Sequence, residues 1–406
     1  MTTADAIARI WRDEAPRVVG TLARLTRDLS LAEEYAQDAL VAALEEWPRS
    51  GVPERPGAWL TTAAKNRALN AIKRARMIDR KHALYAGGEP ADLAPELEPM
   101  PDDALRLIFT ACHPILAREA RVALTLRLVA GLTTAEIARA FLSTEVAIGQ
   151  RITRAKRAIA DAGVPFEVPS GDDLAPRLAS VLEVVYLVFN EGYSATAGDD
   201  LVRPALVDEA IRLGELLASL APGEPEVLGL VALMLLQASR IAARVDARGD
   251  PVLLDRQDRS KWDRARIAAG LAALARADAL GLPRGAYHLQ AAIAASHARG
   301  TDWPHIAALY GELARVAPSP IVELNRAIAV SRADGPAAGL ALLDALAGAP
   351  ALASYHLLPA ARADLLEQLG RLDEAAREFE RAAALATNAR QRDRLLQRAR
   401  VAATRP

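Results

Sequence analysis

The chain has 406 residues, with 50 basic side chains against 51 acidic ones and a formal charge of −1. That balance excludes a uniformly basic nucleic-acid coat, and a single cysteine excludes both an internal disulfide framework and a cysteine-cluster zinc site. Aromatic residues make up only 4%, Ala, Leu and Arg dominate and β-branched runs are rare, so an all-α fold is expected.

Residues 4 to 47 read as two helices. The first carries Val18, Val19, Leu22 and Leu25 at helical spacing. The second is expected to start at an N-cap on Ser30, with Glu33 and Glu34 in its first turn. A Pro/Gly-rich loop, Pro48 to Pro56, leads to a third helix from Gly57 or Ala58 to about Arg80. A stretch rich in glycine, proline and acids follows, which places a first domain at 1–82 and a linker at 83–101. Short helices fill a second domain at 102–163, broken at Pro114 and Gly131. A second Pro/Gly linker spans 164–172, and from 173 to 406 one helix follows another. The N-terminus has neither a basic n-region nor an apolar h-region, and the longest apolar stretch, Val227 to Leu236, is short for a membrane span. A soluble, cytoplasmic protein is the expectation.

The sharpest local pattern is a pair of helices between Thr133 and Ile159. Leu132-Thr133-Thr134-Ala135-Glu136-Ile137-Ala138 gives a capped helix with Ile137 and Phe141 facing inward. Ser143 or Thr144 then caps a longer helix, with buried positions expected at Val146, Ile152 and Ile159. This is the helix-turn-helix layout, whose second helix enters the major groove. Thr144, Gln150, Arg151, Arg154, Lys156 and Arg157 are its candidate DNA contacts. Gln and Arg can pair with base edges, and Arg and Lys neutralise phosphate. An ordinary solvated basic helix is the competing reading.

Charge is segregated in the first domain. From Asp28 to Glu46 there are six acids and no Lys or Arg, whereas Lys65 to Lys81 holds seven bases and one acid. The acidic helix suits a basic partner, and the basic helix suits a nucleic-acid backbone. Trp59, Asn66 and Asn70 can stack on or hydrogen-bond unpaired bases. Two solvated faces of a bundle, with Trp59 in its core, is the alternative.

Taken together, these residues resemble the extracytoplasmic-function (ECF) class of sigma-70 family sigma factors. Leu31-Ala32-Glu33-Glu34-Tyr35-Ala36-Gln37-Asp38-Ala39-Leu40 is similar to the family's region 2.2, and Pro56 to Asn70 resembles regions 2.3 and 2.4. Leu132 to Arg157 resembles region 4.2. The resemblance implies that Glu34, Gln37 and Asp38 bind core RNA polymerase at the β′ coiled coil. It implies that Trp59, Lys65, Asn66, Arg67, Asn70, Lys73 and Arg74 melt and read the −10 element. The helix-turn-helix would read the −35 element as duplex, and core contacts would extend to the β flap. Three positions depart from the family pattern: Gly149, Glu145 and Leu40.

The segment beyond the second linker extends well past most members of the class. Gly370 to Ala382 looks like the second helix of a tetratricopeptide repeat, with Leu358 to Leu369 as its partner. Ala333 to Ala338 lies about one repeat length upstream, near the roughly 34-residue period of such arrays. Val184 to Tyr193 and Leu253 to Asp263 resemble segments of the sigma-factor group with such an extension. Asp255, Asp258 and Asp263 are read as members of a buried ion-pair network with Arg256, Arg259 and Lys261 rather than as metal ligands. No catalytic constellation, metal site or cofactor motif is found, so no enzyme activity and no cofactor are expected. The extension is expected to regulate the sigma factor in cis and to take a protein or ligand partner. A conventional helix-turn-helix regulator with a ligand- or peptide-binding repeat domain is the second reading. A scaffold or hydrolase built on the extension is the third.

Overall fold

The computed structural model describes residues 3–84, 103–141, 143–194, 202–246, 252, 254–386 and 389–404, without the side chains of 3–5, 72–84 and 389–391. The regular elements among the described residues are helices, in two compact units, Met1–Leu220 and Ala221–Pro406.

The first unit opens with α1 (Thr3–Thr26), α2 (Leu29–Ser50) and α3 (Pro56–Leu84). The cap of α2 is Asp28 rather than Ser30: its carboxylate accepts from the amides of Ser30 at 2.6 Å and Leu31 at 3.1 Å. Pro48 does not end this helix, because it lies in the last turn. Gly51 ends it, with a left-handed φ of 85° and its N–H donated to the Trp47 carbonyl. Pro56 then fits the first position of α3, where a helix needs no amide proton.

Helix α4 (Asp103–Ala111) packs along α1. A side chain at Gly20 would overlap the Asp103 backbone, so glycine is what allows this approach. The Asp103 carboxylate is buried, and it accepts from Thr21 Oγ1 at 3.1 Å, Arg24 Nε at 2.9 Å and Arg106 Nη1 at 3.3 Å. An anion at that depth is tolerable only with partners of this kind.

Helix α5 (Arg118–Leu128) precedes the helix-turn-helix pair, α6 (Thr134–Ala140) and α7 (Glu145–Asp161). Thr133 and Glu136 form a reciprocal capping box on α6, and Thr144 caps α7 through the Ala147 amide. Two more helices, α8 (Leu174–Tyr193) and α9 (Pro204–Leu220), complete this unit. The unit therefore runs on past residue 173. Ser180 Oγ donates to the Cys112 carbonyl at 2.6 Å, Arg177 donates to the Phe109 carbonyl at 2.9 Å, and Glu183 pairs with Arg118 and Arg121. Arg203 bridges Glu191 at 2.6 Å and the Ala140 carbonyl at the end of α6.

The second unit is built around α10 (Pro225–Ala238), which is buried nearly all round by α11 (Arg264–Ala279) and α12 (Ala286–Arg299). With the turn after it, Pro225–Ala243 is long and apolar enough to cross a membrane, beyond the shorter Val227–Leu236 run noted in the sequence. Yet 72% of its apolar window is buried in the fold, as in the core helix of a globular unit. Glu226 accepts from the amides of Tyr287 at 3.0 Å and His288 at 2.9 Å, capping α12 where Gly285 offers no side chain.

Each later helix packs on the next: α13 (Trp303–Val316), α14 (Pro320–Asp334), α15 (Pro336–Ala345), α16 (Leu357–Gln368), α17 (Leu372–Leu385) and α18 (Ala389–Thr404). Gly335 and Gly370 turn the chain in left-handed conformations, with φ of 99° and 76°. Ala375, Phe379 and Ala382 of α17 are fully buried.

The buried ion-pair network expected at Asp255 to Asp263 is not formed. Asp258 caps a short turn through Ser260, Asp263 caps α11 through the Arg266 amide, and Asp255 reaches Arg332 at 3.5 Å on the surface. Asp258 and Asp263 are spent on helix starts, and Trp262 is the buried member, with Arg259 over its ring at 4.9 Å. Among the described residues no group of three or more His, Cys, Asp or Glu is placed to hold a metal ion.

Candidate nucleic-acid interface

The surface of α7 divides by helical phase. Ile148, Ile152, Ala155 and Ile159 are buried on one side. Val146, expected among them, is 69% exposed, because Ile148 takes the inward position and Val146 lies about half a turn away. Thr144, Gln150, Arg154 and Arg157 are exposed, and Arg151 is half-buried. Arg154 lies within 3.4 Å of the Gln150 side chain, one turn back along the same face. The exposed face therefore presents hydroxyl, amide and guanidinium groups, with Val146 among them and the exposed Glu145 at its start.

Lys156 departs from this group. Its ammonium contacts Glu33 on α2, and Arg127 of α5 contacts the same carboxylate. All three side chains are largely buried. Burial pushes the Glu33 carboxyl up, but the charges and hydrogen bonds of Lys156 and Arg127 outweigh it and hold the group below its ordinary value. A second bridge joins the same regions, from Arg12 of α1 to Glu136 of α6 at 3.0 Å. Neither Glu33 nor Arg127 stood out in the sequence. The available signal was the stretch from Asp28 to Glu46, which has acids and no Lys or Arg, beside the bases of α7.

On α3, Asn66, Arg67 and Asn70 are exposed and Lys65 is half-buried. Trp59 is half-buried, its ring edge-on to the buried Trp47 with centroids 5.3 Å apart. It is thus anchored on one side and accessible on the other. Lys73 and Arg74 lie on the helical backbone of α3, and their side chains are outside the described residues. The α2 surface carries Leu31, Glu34, Asp38 and Val41 at helical spacing, with Leu31 and Val41 exposed despite being apolar. Gln37 is half-buried at its flank. Asp38 lies 3.4 Å from Arg67, so the candidate polymerase and DNA surfaces meet at this pair.

Cys112 is buried, its Sγ 3.2 Å from Thr125 Oγ1, and burial pushes its thiol up to about 12. It packs as a small core residue, and burial disfavours the thiolate that redox and metal chemistry need.

Comparison with known proteins agrees with this arrangement. Residues 10–77 match sigma-70 region 2 and residues 106–159 match sigma-70 region 4. Residues 177–278 match a family of unknown function, DUF6596. An uncharacterized protein of Rhizobium meliloti (strain 1021) is 47% identical over 392 residues, covering 92% of this chain and 90% of its own length. The RNA polymerase sigma factor CarQ of Myxococcus xanthus is 33% identical over 92 residues, covering 23% of this chain and 53% of its own. The ECF RNA polymerase sigma factor SigK of Mycobacterium ulcerans (strain Agy99) is 28% identical over 163 residues, covering 38% of this chain and 84% of its own. The two sigma regions, in order on helices that present an acidic face and a helix-turn-helix, show that the chain belongs to the extracytoplasmic-function class of the sigma-70 family, as an alternative sigma factor that directs core RNA polymerase to promoters.

Proposed function

We propose that α2 docks on the β′ coiled coil of core polymerase through Glu34, Gln37 and Asp38, with Leu31 and Val41 covered in the contact. The single observation that carries this reading is the exposed stripe of mixed acidic and apolar side chains on α2. A helix in a folded unit leaves such a stripe uncovered where a partner takes it. In the same reading Trp59, Lys65, Asn66, Arg67, Asn70, Lys73 and Arg74 engage the opened −10 element. Thr144, Gln150, Arg151, Arg154 and Arg157 engage the −35 duplex, and region 4 meets the β flap. Lys156 joins them only after leaving Glu33. The protein acts in the cytoplasm, where its polymerase is, and has no catalytic role of its own.

The extension regulates this activity in cis. Support comes from α8 and α9, which are fastened to the helices of region 4 through Ser180, Glu183 and Arg203. Its tetratricopeptide-like character rests on the consecutive packing of α13 to α18 and the glycine turns at Gly335 and Gly370. Run-off transcription with purified core enzyme tests the whole reading. The full chain is expected to start transcripts at a selected promoter, and Asp38→Arg is expected to abolish both β′ pull-down and initiation. A chain ending at Leu220, which keeps the first unit intact, is expected to initiate at a changed level. Equal output from the short and full chains would confine any regulatory role to α8 and α9, and equal output from a chain ending at Gly171 as well would remove it.

A further inference from the structure

Among the described residues no large apolar side chain is more exposed than Val146, at 69%. It stands in the first turn of α7, two residues after the Thr144 cap. At about 3.6 residues per turn it shares a line with Gln150, Thr153 and Arg157, opposite the buried isoleucines. In a helix-turn-helix the N-terminal part of the second helix is the part that reaches base edges. An apolar side chain there has one apolar feature to meet in the major groove, the C5-methyl of thymine.

Gly149 adds an independent observation. Among the described residues a side chain there would meet nothing within 4 Å, and its φ is not left-handed. Neither packing nor backbone conformation within the chain calls for glycine, which weakens a helix relative to alanine. The missing side chain leaves room for a surface outside the chain to come closer to the helix axis than a Cβ allows. Gly149 and Val146 are one turn apart on the same side of α7, so both observations concern one patch.

We propose that Val146 is a base-reading residue that packs on the C5-methyl of a thymine in the −35 duplex, with Gly149 clearing the approach. Gln150, one turn further on, is placed to bond an adenine edge, so the patch selects A·T pairs in either orientation. The arginines of α7 supply phosphate affinity and Val146 supplies discrimination. This rests on α7 being the −35 reader.

Holoenzyme assembled from the full-length chain and core polymerase first selects −35 sequences from a randomised duplex library. Each selected thymine is then replaced by deoxyuridine, which lacks only the methyl group. At one position the wild-type holoenzyme is expected to lose about fourfold in affinity, the worth of one buried methyl group. Val146→Ala is expected to bind the thymine duplex about as weakly as wild type binds the uracil one, and to show no further loss on replacement. Arg154→Ala should weaken both duplexes and keep the thymine-over-uracil ratio. Equal uracil penalties for wild type and Val146→Ala at every thymine would overturn the proposal, leaving Val146 to a protein contact. If wild type enriches no −35 sequence, or Arg154→Ala binds as tightly as wild type, the assignment of α7 to the −35 duplex falls first and the proposal falls with it.

Discussion

Lys156 of α7 and Glu33 of α2 are ion-paired in a largely buried contact that ties region 4 to region 2. Arg127 closes on the same carboxylate, so two cations depend on one anion. Glu33→Ala leaves both cations without that counter-charge, and breaking a buried pair in this way costs about 3 kcal/mol or more. The contact between α2 and α7 is expected to open. Small-angle scattering should show a larger radius of gyration, and dyes on α2 and α7 should move apart. Unchanged dimensions would mean that the pair does not hold the two regions together.

The same pair sets a pH dependence. The Glu33 carboxyl lies below its ordinary value of 4.5 in the folded chain. Its contribution is thus fully present above 4.5 and is lost as pH falls through the depressed value. Glu33→Gln should remove this share of the acid sensitivity, giving a shallower fall in stability on acidification than wild type in matched urea titrations.

Gly20→Ala tests the seam between α1 and α4. The added methyl would overlap the Asp103 backbone, and neither helix can yield without disturbing the buried carboxylate and its three partners. A loss of about 1–3 kcal/mol is expected, the usual range for overpacking. A urea midpoint equal to wild type would show that the helices slide apart at no cost.

Gly149→Ala should move stability and function in opposite directions. The methyl group meets nothing among the described residues, and alanine favours the helix by up to about 1 kcal/mol. The melting temperature is expected to rise or hold, while holoenzyme affinity for the −35 duplex falls. A variant more stable and equally tight on DNA would leave the glycine unexplained.

Asp38→Arg separates folding from partner binding. The Asp38–Arg67 pair is half exposed at 3.4 Å, and such pairs contribute less than about 1 kcal/mol. The variant should melt near wild type and fail to retain core polymerase on an affinity column.

His297 gives the second unit its own acid response. Burial first, then the Arg240 and Arg259 charges, pull its imidazole down to about 4 from an ordinary 6.5. Its neutral form is the folded form, so stability is present above 6.5 and declines as pH falls toward about 4. His297→Gln should flatten that decline in a pH series of thermal melts.

Much of the first unit was legible in the residues. Caps are local chemistry, so Thr133, Glu136 and Thr144 announced α6 and α7 before any coordinates. The Asp28 cap was missed because Ser30, two residues on, is an equally good capping type, and only the chain path chooses between them. Val146 was misplaced because apolar character alone does not reveal phase, and Ile148 fits the inward position as well. The clasp of Glu33, Lys156 and Arg127 was invisible, since it joins residues 94 and 123 positions apart. Asp255 to Asp263 failed for a similar reason: alternating charges look alike whether they pair with each other or cap helices.

Cys112 has a practical consequence. The chain holds one cysteine, and its thiol is buried and protonated across the neutral range. Maleimide chemistry on the native protein therefore starts from a silent background. Cysteines introduced at exposed positions of α2 and α7 will carry fluorophores or spin labels only where they are placed. The distance between the two sigma regions can then be followed through polymerase binding and promoter opening without first stripping out a native thiol.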